Sequence, residues 1–216
     1  MNMKTKKLII LPFVLLYFDS IVLVILFNGL MQIQKIIPLV ILNVFFFIDI
    51  LIRYTSEKKD KFNRIIIIAS FFLFPLLIAA PYIESIYLYL NDTLIFSFIT
   101  TLGLIFEICG GLILFYSRKS IGKYGTTSVA IEDNHKLLTK GIYKYSRNPI
   151  YLGIILLLTG YGISLSSIIS TIFLFIFLVV ILLSRMKQEE QILEESFGKE
   201  YLEYKKKTKR FIPFIY

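Results

Sequence analysis

The sequence predicts an all-α polytopic membrane protein: five or six transmembrane helices, a C-terminal helical hairpin and a cytoplasmic amphipathic helix. Three observations carry that expectation. Apolar residues make up 56% of the 216 residues, more than an ordinary soluble domain holds. They gather into runs of about 20 residues, the length that crosses a bilayer. The 24 Lys and Arg lie almost wholly between those runs, and on one side of the membrane once the chain is threaded.

The elements follow in order. Met1–Lys7 is short and basic, and residues 8–27 are apolar apart from Asp19 and Ser20. No small-residue cleavage site follows, so the run reads as a retained first helix rather than a signal peptide. Residues 36–52 form a second span with Asn43 and Asp49 inside it, and 53–64 a charged loop. Residues 65–83 are a third span kinked at Pro75. A loop over Glu84–Asp92 leads to a fourth span over 93–116, which contains Glu107 and the pair Gly110-Gly111. A basic, turn-rich segment over 117–149 follows. The apolar runs 150–163 and 166–184 flank Gly162-Ile163-Ser164, a tight hairpin, and the first is short for a full crossing. Residues 185–207 form an amphipathic helix with Met186, Leu193, Phe197, Tyr201 and Tyr204 on one stripe. The chain thus divides into N-terminal transmembrane helices over 1–116 and a C-terminal unit over 117–216.

With the N-terminus in the cytoplasm and six crossings, only Lys35 of the 24 basic residues falls outside. Both termini are then cytoplasmic, in the cell membrane if the source is prokaryotic. The net charge of +9 is thereby a matter of topology and contact with anionic lipids. Nothing accompanies it that reads as a nucleic-acid surface. One cysteine and one histidine exclude an intrachain disulfide and a Cys/His metal cluster. Asp19, Asp49 and Glu107 stand in apolar runs, where ionisable groups are costly; packing or folding is the expected role. Gly110-Gly111 is expected to admit a neighbouring helix closely.

Two polar stretches stand out. Gly141-Ile142-Tyr143, followed by Arg147-Asn148-Pro149-Ile150-Tyr151-Leu152-Gly153, is similar to the Gly-Ile-Tyr and Arg-His-Pro-x-Tyr-x-Gly pattern of the isoprenylcysteine carboxyl methyltransferases and related phospholipid methyltransferases of the membrane. Glu189-Glu190, then Phe197-Gly198-Lys199-Glu200-Tyr201 and Tyr204, resembles the same family's ending. The resemblance covers roughly 117–213. It implies a membrane-embedded fold with S-adenosylmethionine as methyl donor at the cytoplasmic face. The positions that match the family's cofactor site are His135, Lys136, Leu137, Leu138, Tyr143, Arg147, Asn148, Pro149, Ile150, Tyr151, Glu189 and Glu190, and Ile131 falls near a further contact. Arg185 matches the position that handles an acidic group of the substrate; with Glu189 it makes the expected catalytic pair. Asn148 stands where the family usually has His; an amide forms hydrogen bonds but carries no proton.

The chemistry suits these residue types. A sulfonium donor with an amino-acid tail needs an anion near its positive charges, supplied by Glu189 and Glu190. Its carboxylate needs a cation, for which Lys136, Lys140, Lys144 and Arg147 are candidates. In-line transfer gains from alignment and exclusion of water. A carboxylate acceptor is already ionised near neutral pH and needs no base, which fits the absence of His at 148. The expectation is therefore a methyltransferase acting on the carboxyl or oxygen of a lipophilic, membrane-partitioning acceptor, without metal or nucleic acid. Phospholipid amine methylation is the nearest alternative, and an NADPH-dependent reductase resembling the sterol reductases a further one.

Overall fold

The computed structural model describes residues 33–56, 77–87, 98–121 and 137–211. Among them, α1 spans Ile33–Ser56, residues 77–87 form α2, and α3 spans Phe98–Ile121. A turn of 3₁₀ helix at Gly141–Lys144 precedes α4 (Pro149–Ser164), α5 (Ile168–Phe197) and α6 (Lys199–Lys207). No strand occurs among the described residues, and one isolated parallel bridge joins Ser146 to Lys209. The expected span over 8–27, Pro75 and residues 57–64 of the expected charged loop lie outside the described residues, whereas 53–56, expected in that loop, extend α1.

Helices α3 and α4 pack most closely, and glycine is the reason. Gly103 and Gly110 on α3, like Gly153 and Gly160 on α4, are seven residues apart, so each pair shares one helix face. A Cβ on Gly110 would overlap the Leu157 backbone nitrogen, and one on Gly153 would stand 2.8 Å from that of Leu114. The two backbones therefore touch, as small-residue contacts allow in a membrane. Gly111 receives the ring of Phe45, which brings α1 against the same helix. The expected role of Gly110-Gly111 is borne out. Glu107 lies fully buried at this crossing, its backbone against Gly160.

Four further boundaries differ from expectation, each for a local reason. Helix α2 continues to residue 87 through Glu84, which had suggested a loop. The Glu84 carboxylate accepts the N–H groups of Ile169 and Ser170, at 3.0 and 2.6 Å, and so caps α5, whose own Ser167 makes no side-chain cap. Helix α3 runs past 116 to Ile121, with Ser117 donating to the Ile113 carbonyl at 2.6 Å and Ser120 to that of Tyr116 at 2.8 Å. The hairpin turn falls at Leu165–Ser167, with Ser166 at φ 57. Gly162 lies within α4, and its lack of a side chain leaves room for the Thr171 hydroxyl, which a Cβ there would overlap. Finally, the amphipathic helix expected over 185–207 is two helices: α5 runs unbroken into Phe197, and the chain turns at Gly198, φ 49 and ψ −118. That conformation costs an L-residue about 1–3 kcal/mol. Gly198→Ala is expected to lower the midpoint of thermal unfolding by a few degrees with folding retained, which a melting curve reads directly.

Helix α5 explains how a polar site stands over an apolar bundle. Its 30 residues extend about 45 Å, longer than the roughly 30 Å hydrocarbon core. A buried stripe at Leu174, Leu178, Leu182, Met186 and Glu190 runs its length. Outside that stripe, Ile168, Phe173, Ile176 and Val180 are exposed, an apolar surface that only lipid can solvate without cost. The last three turns, from Arg185, rise into the polar layer.

Candidate functional site

The site is built where the two polar motifs meet. The segment 208–211 lies alongside 146–148 and is fastened to it. Arg147 N–H donates to the Lys209 carbonyl at 2.9 Å, Ser146 Oγ to the Phe211 carbonyl at 2.7 Å, and Asn148 Nδ2 to the Arg210 carbonyl at 2.9 Å. Pro149 opens α4 as its first residue, where its missing N–H leaves nothing unsatisfied. The Arg147 guanidinium points away from α4 toward the C-terminal segment. It donates from Nε to Glu190 Oε1 at 3.0 Å and from Nη1 to the carbonyls of Lys205, at 3.1 Å, and Thr208. Arg210 pairs with the other Glu190 oxygen at 3.2 Å. Glu190 is thus held by two arginines, with Asn148 Nδ2 at 3.4 Å.

Because Glu190 is only 8% exposed, removing its charge strands a buried arginine. Glu190→Ala is expected to destabilise the folded protein by about 3 kcal/mol and to release 208–211. Limited proteolysis near Lys209 reads that release, and resistance equal to that of the unaltered protein would refute it.

Successive residues on a helix point about 100° apart, so Glu189 faces a different neighbourhood. Its Oε1 accepts the Tyr151 hydroxyl at 2.5 Å and Arg185 Nε at 3.1 Å. Tyr143 closes the same side from the 3₁₀ turn. Its carbonyl accepts the Tyr204 hydroxyl at 2.6 Å, which draws α6 over the site. The Tyr143 hydroxyl itself is buried and makes no hydrogen bond within the described protein. Burial pushes this phenol well above its ordinary range. Arg118 pulls it down, and Tyr204, Glu189 and Tyr151 push it up. It therefore stays protonated across the physiological range, a donor without an acceptor among the described residues.

The sequence-expected residues thus fall into two groups. Tyr143, Tyr151, Arg185 and Glu189 converge on one wall. Arg147, Asn148 and Glu190 form the clamp beside it, with Pro149 and Ile150 at the head of α4. Leu137 and Leu138 are half-buried in non-helical chain leading to the 3₁₀ turn; His135, Lys136 and Ile131 lie outside the described residues. Two groups were not read from the sequence as site residues. The segment 208–211 offers backbone carbonyls, which no residue pattern signals, together with the Arg210 guanidinium on Glu190. Asp49 and Arg118 form a buried ion pair, Nε to Oδ1, at 2.7 Å. Its signal was an aspartate in an apolar run, opposite an arginine at the same end of another span.

A lipid-facing helical bundle capped at one end by this polar site defines an integral membrane protein. Within it, residues 98–200 match the family model described as phospholipid methyltransferase, and the resemblance drawn from the two motifs holds. A rice protein (Oryza sativa subsp. indica) named "Probable protein-S-isoprenylcysteine O-methyltransferase" is 33% identical over 120 residues, 55% of this chain and 63% of its own length. The protein-S-isoprenylcysteine O-methyltransferase of Saccharomyces cerevisiae is 37% identical over 84 residues, 39% of this chain and 35% of its own. The chain therefore spans under two thirds of the rice relative. A solved structure of a eukaryotic intramembrane Ras methyltransferase, isoprenylcysteine carboxyl methyltransferase, shares the fold. Its TM-score is 0.62 at 20% identity, covering 100% of this chain and 88% of that one.

Proposed function

We propose that this protein is an integral membrane methyltransferase that uses S-adenosylmethionine to methylate the carboxylate of a lipophilic acceptor at the cytoplasmic membrane face. The observation that carries the reading is the convergence of Glu189, Tyr151 and Arg185 beside the orphaned Tyr143 hydroxyl. That wall fits a ligand with positive and polar groups. It offers a carboxylate for an ammonium or sulfonium, aromatic faces for a cation, and a buried donor awaiting an acceptor. S-adenosylmethionine, when bound, supplies a methyl group on a positively charged sulfur, from which an oxygen nucleophile can displace a neutral thioether.

The chain's own residues then have separable tasks. Glu189 provides negative charge toward the donor and, through its bond to Arg185, fixes that guanidinium. Arg185 presents its remaining N–H donors to an acidic acceptor and aligns it. Tyr151 holds Glu189 in place from α4. The clamp of Arg147, Asn148 and Glu190 keeps α6 and 208–211 closed over the site, which limits water. In this arrangement Asn148 serves as an amide donor to Arg210 and Glu190, a task that needs no proton transfer. The apolar hairpin below gives an acceptor's hydrocarbon tail a route from the bilayer. The relatives' names point to an S-prenylated cysteine as the first acceptor to try. The matched family's description favours phospholipid amines as the second reading.

The test uses purified full-length protein with methyl-labelled S-adenosylmethionine. N-acetyl-S-farnesylcysteine and phosphatidylethanolamine are offered as separate acceptors. Label in a base-labile ester supports the first reading, and label in a phospholipid headgroup the second. Thermal stabilisation by NADPH but not by S-adenosylhomocysteine would overturn both.

A further inference from the structure

The ion pair between Asp49 and Arg118 is the part of the polar layer that the methyl-transfer machinery does not use. It joins α1 to the end of α3, ahead of both motifs. Its formation follows from the packing below it. Phe45 seats on Gly111; Asp49 lies one turn above Phe45 and Arg118 two turns above Gly111, so both arrive at the same end of the α1–α3 contact. The side chains are 5% and 11% exposed. An arginine buried this deeply at the edge of the apolar bundle costs free energy that one carboxylate only offsets.

The end of α3 also abuts the 3₁₀ turn. Ser120 Oγ is 3.7 Å from where a Cβ on Gly141 would stand, and Tyr143 is two residues further on. The turn is thus supported from α3 at the level of Arg118. Asp49 accepts from Arg118 Nε, and a guanidinium carries four further N–H donors. Of the other described arginines near this face, Arg147 is bound to Glu190 and two carbonyls, Arg185 to Glu189 and Arg210 to Glu190. Lys140 and Lys144 are exposed.

We propose that Arg118, oriented by Asp49, binds a carboxylate of the bound ligand together with the Tyr143 hydroxyl. The end of α3 then contributes a ligand-binding residue to the site, and α1 orients it through Asp49. This deepens the methyltransferase reading and rests on it. Arg118 already acts electrostatically on the Tyr143 phenol, so the two groups share one neighbourhood. Two carboxylates fit, the amino-acid end of the methyl donor and the acid of the acceptor, and the two are separable by experiment.

The experiment compares Arg118→Gln, Arg118→Lys and Asp49→Asn with the unaltered full-length protein. Binding of S-adenosylhomocysteine is measured beside that of 5′-methylthioadenosine, which has the same nucleoside but no carboxylate. Loss of about tenfold to a hundredfold in S-adenosylhomocysteine affinity, with methylthioadenosine unaffected and partial retention in Arg118→Lys, assigns the donor's carboxylate. Unchanged binding of both, with the KM for N-acetyl-S-farnesylcysteine raised by a similar factor at constant kcat, assigns the acceptor's. Equal weakening of both nucleosides, loss of folding in Arg118→Lys as well as Arg118→Gln, or no change in any constant would overturn the proposal. If the unaltered protein binds neither nucleoside, the methyltransferase reading fails first, a result distinct from failure of the Arg118 assignment.

Discussion

Glu189→Gln is expected to slow methyl transfer by about a hundredfold to a thousandfold while leaving the helical bundle folded. Gln has nearly the same volume and can still accept the Tyr151 hydroxyl, which stands 2.5 Å from Oε1. What disappears is the charge. Arg185, 3.1 Å away, loses its counter-ion and its fixed orientation, and a cationic donor loses the carboxylate facing it. Both losses act on alignment as much as on affinity, so kcat and kcat/KM fall together. Since Arg185 and Glu189 are each about a third exposed, the pair itself adds little to stability, and the melting midpoint shifts little. Arg185→Ala should show the complementary pattern, a raised acceptor KM with S-adenosylhomocysteine still bound. Turnover within about threefold of the unaltered protein in Glu189→Gln, at full occupancy by donor, would remove Glu189 from the reaction.

The largest structural effect is expected from Gly110→Val. A Cβ at this position overlaps the backbone nitrogen of Leu157 and comes within 2.8 Å of the Gly153 carbonyl oxygen. Both obstacles are backbone in the middle of α4, so no side-chain rotation relieves the clash. The helices must separate along their whole contact. That forfeits the packing which, in place of the hydrophobic effect, drives helix association in lipid. The expected loss is about 5 kcal/mol or more, close to the total stability of a typical domain. In practice the variant should elute from size-exclusion chromatography in detergent as aggregate. It should bind no S-adenosylhomocysteine, because α4 carries Tyr151 and begins directly after Asn148. A monodisperse, ligand-binding Gly110→Val protein would mean that the α3–α4 contact is not backbone to backbone. Gly198→Ala is the control: its Cβ meets no atom within 4 Å, so only conformational strain separates it from the native residue.

Much of the molecule is legible in its residues. The apolar runs that became α1, α3, α4 and α5 are set by composition and length, because lipid accepts little else. Tyr143, Tyr151, Arg185 and Glu189 were named as a site from their motifs, and they meet. Arg185 and Glu189 share a helix face by their spacing of four, and the bond between them follows. The errors of boundary have a common cause. Glu84, Ser164 and Ser117 read as loop residues because polar side chains usually leave a bundle. Here Glu84 caps a different helix, and the serines return their hydroxyls to their own helix at 2.7 and 2.6 Å. Gly162 suggested the hairpin turn but serves a close contact inside α4.

From the residues alone came the solvent this chain lives in, the helical character of its elements and the chemistry its polar stretches resemble, since each depends on local composition and spacing. Folding in three dimensions divided neighbours that the sequence treats alike. Glu189 was sent to Tyr151 and Arg185, and Glu190 to Arg147 and Arg210, because consecutive residues on one helix face different partners. It also brought Asp49 against Arg118, 69 residues away, through the seat of Phe45 on Gly111. Such a pairing is a property of which helices touch, and no one-dimensional pattern contains it.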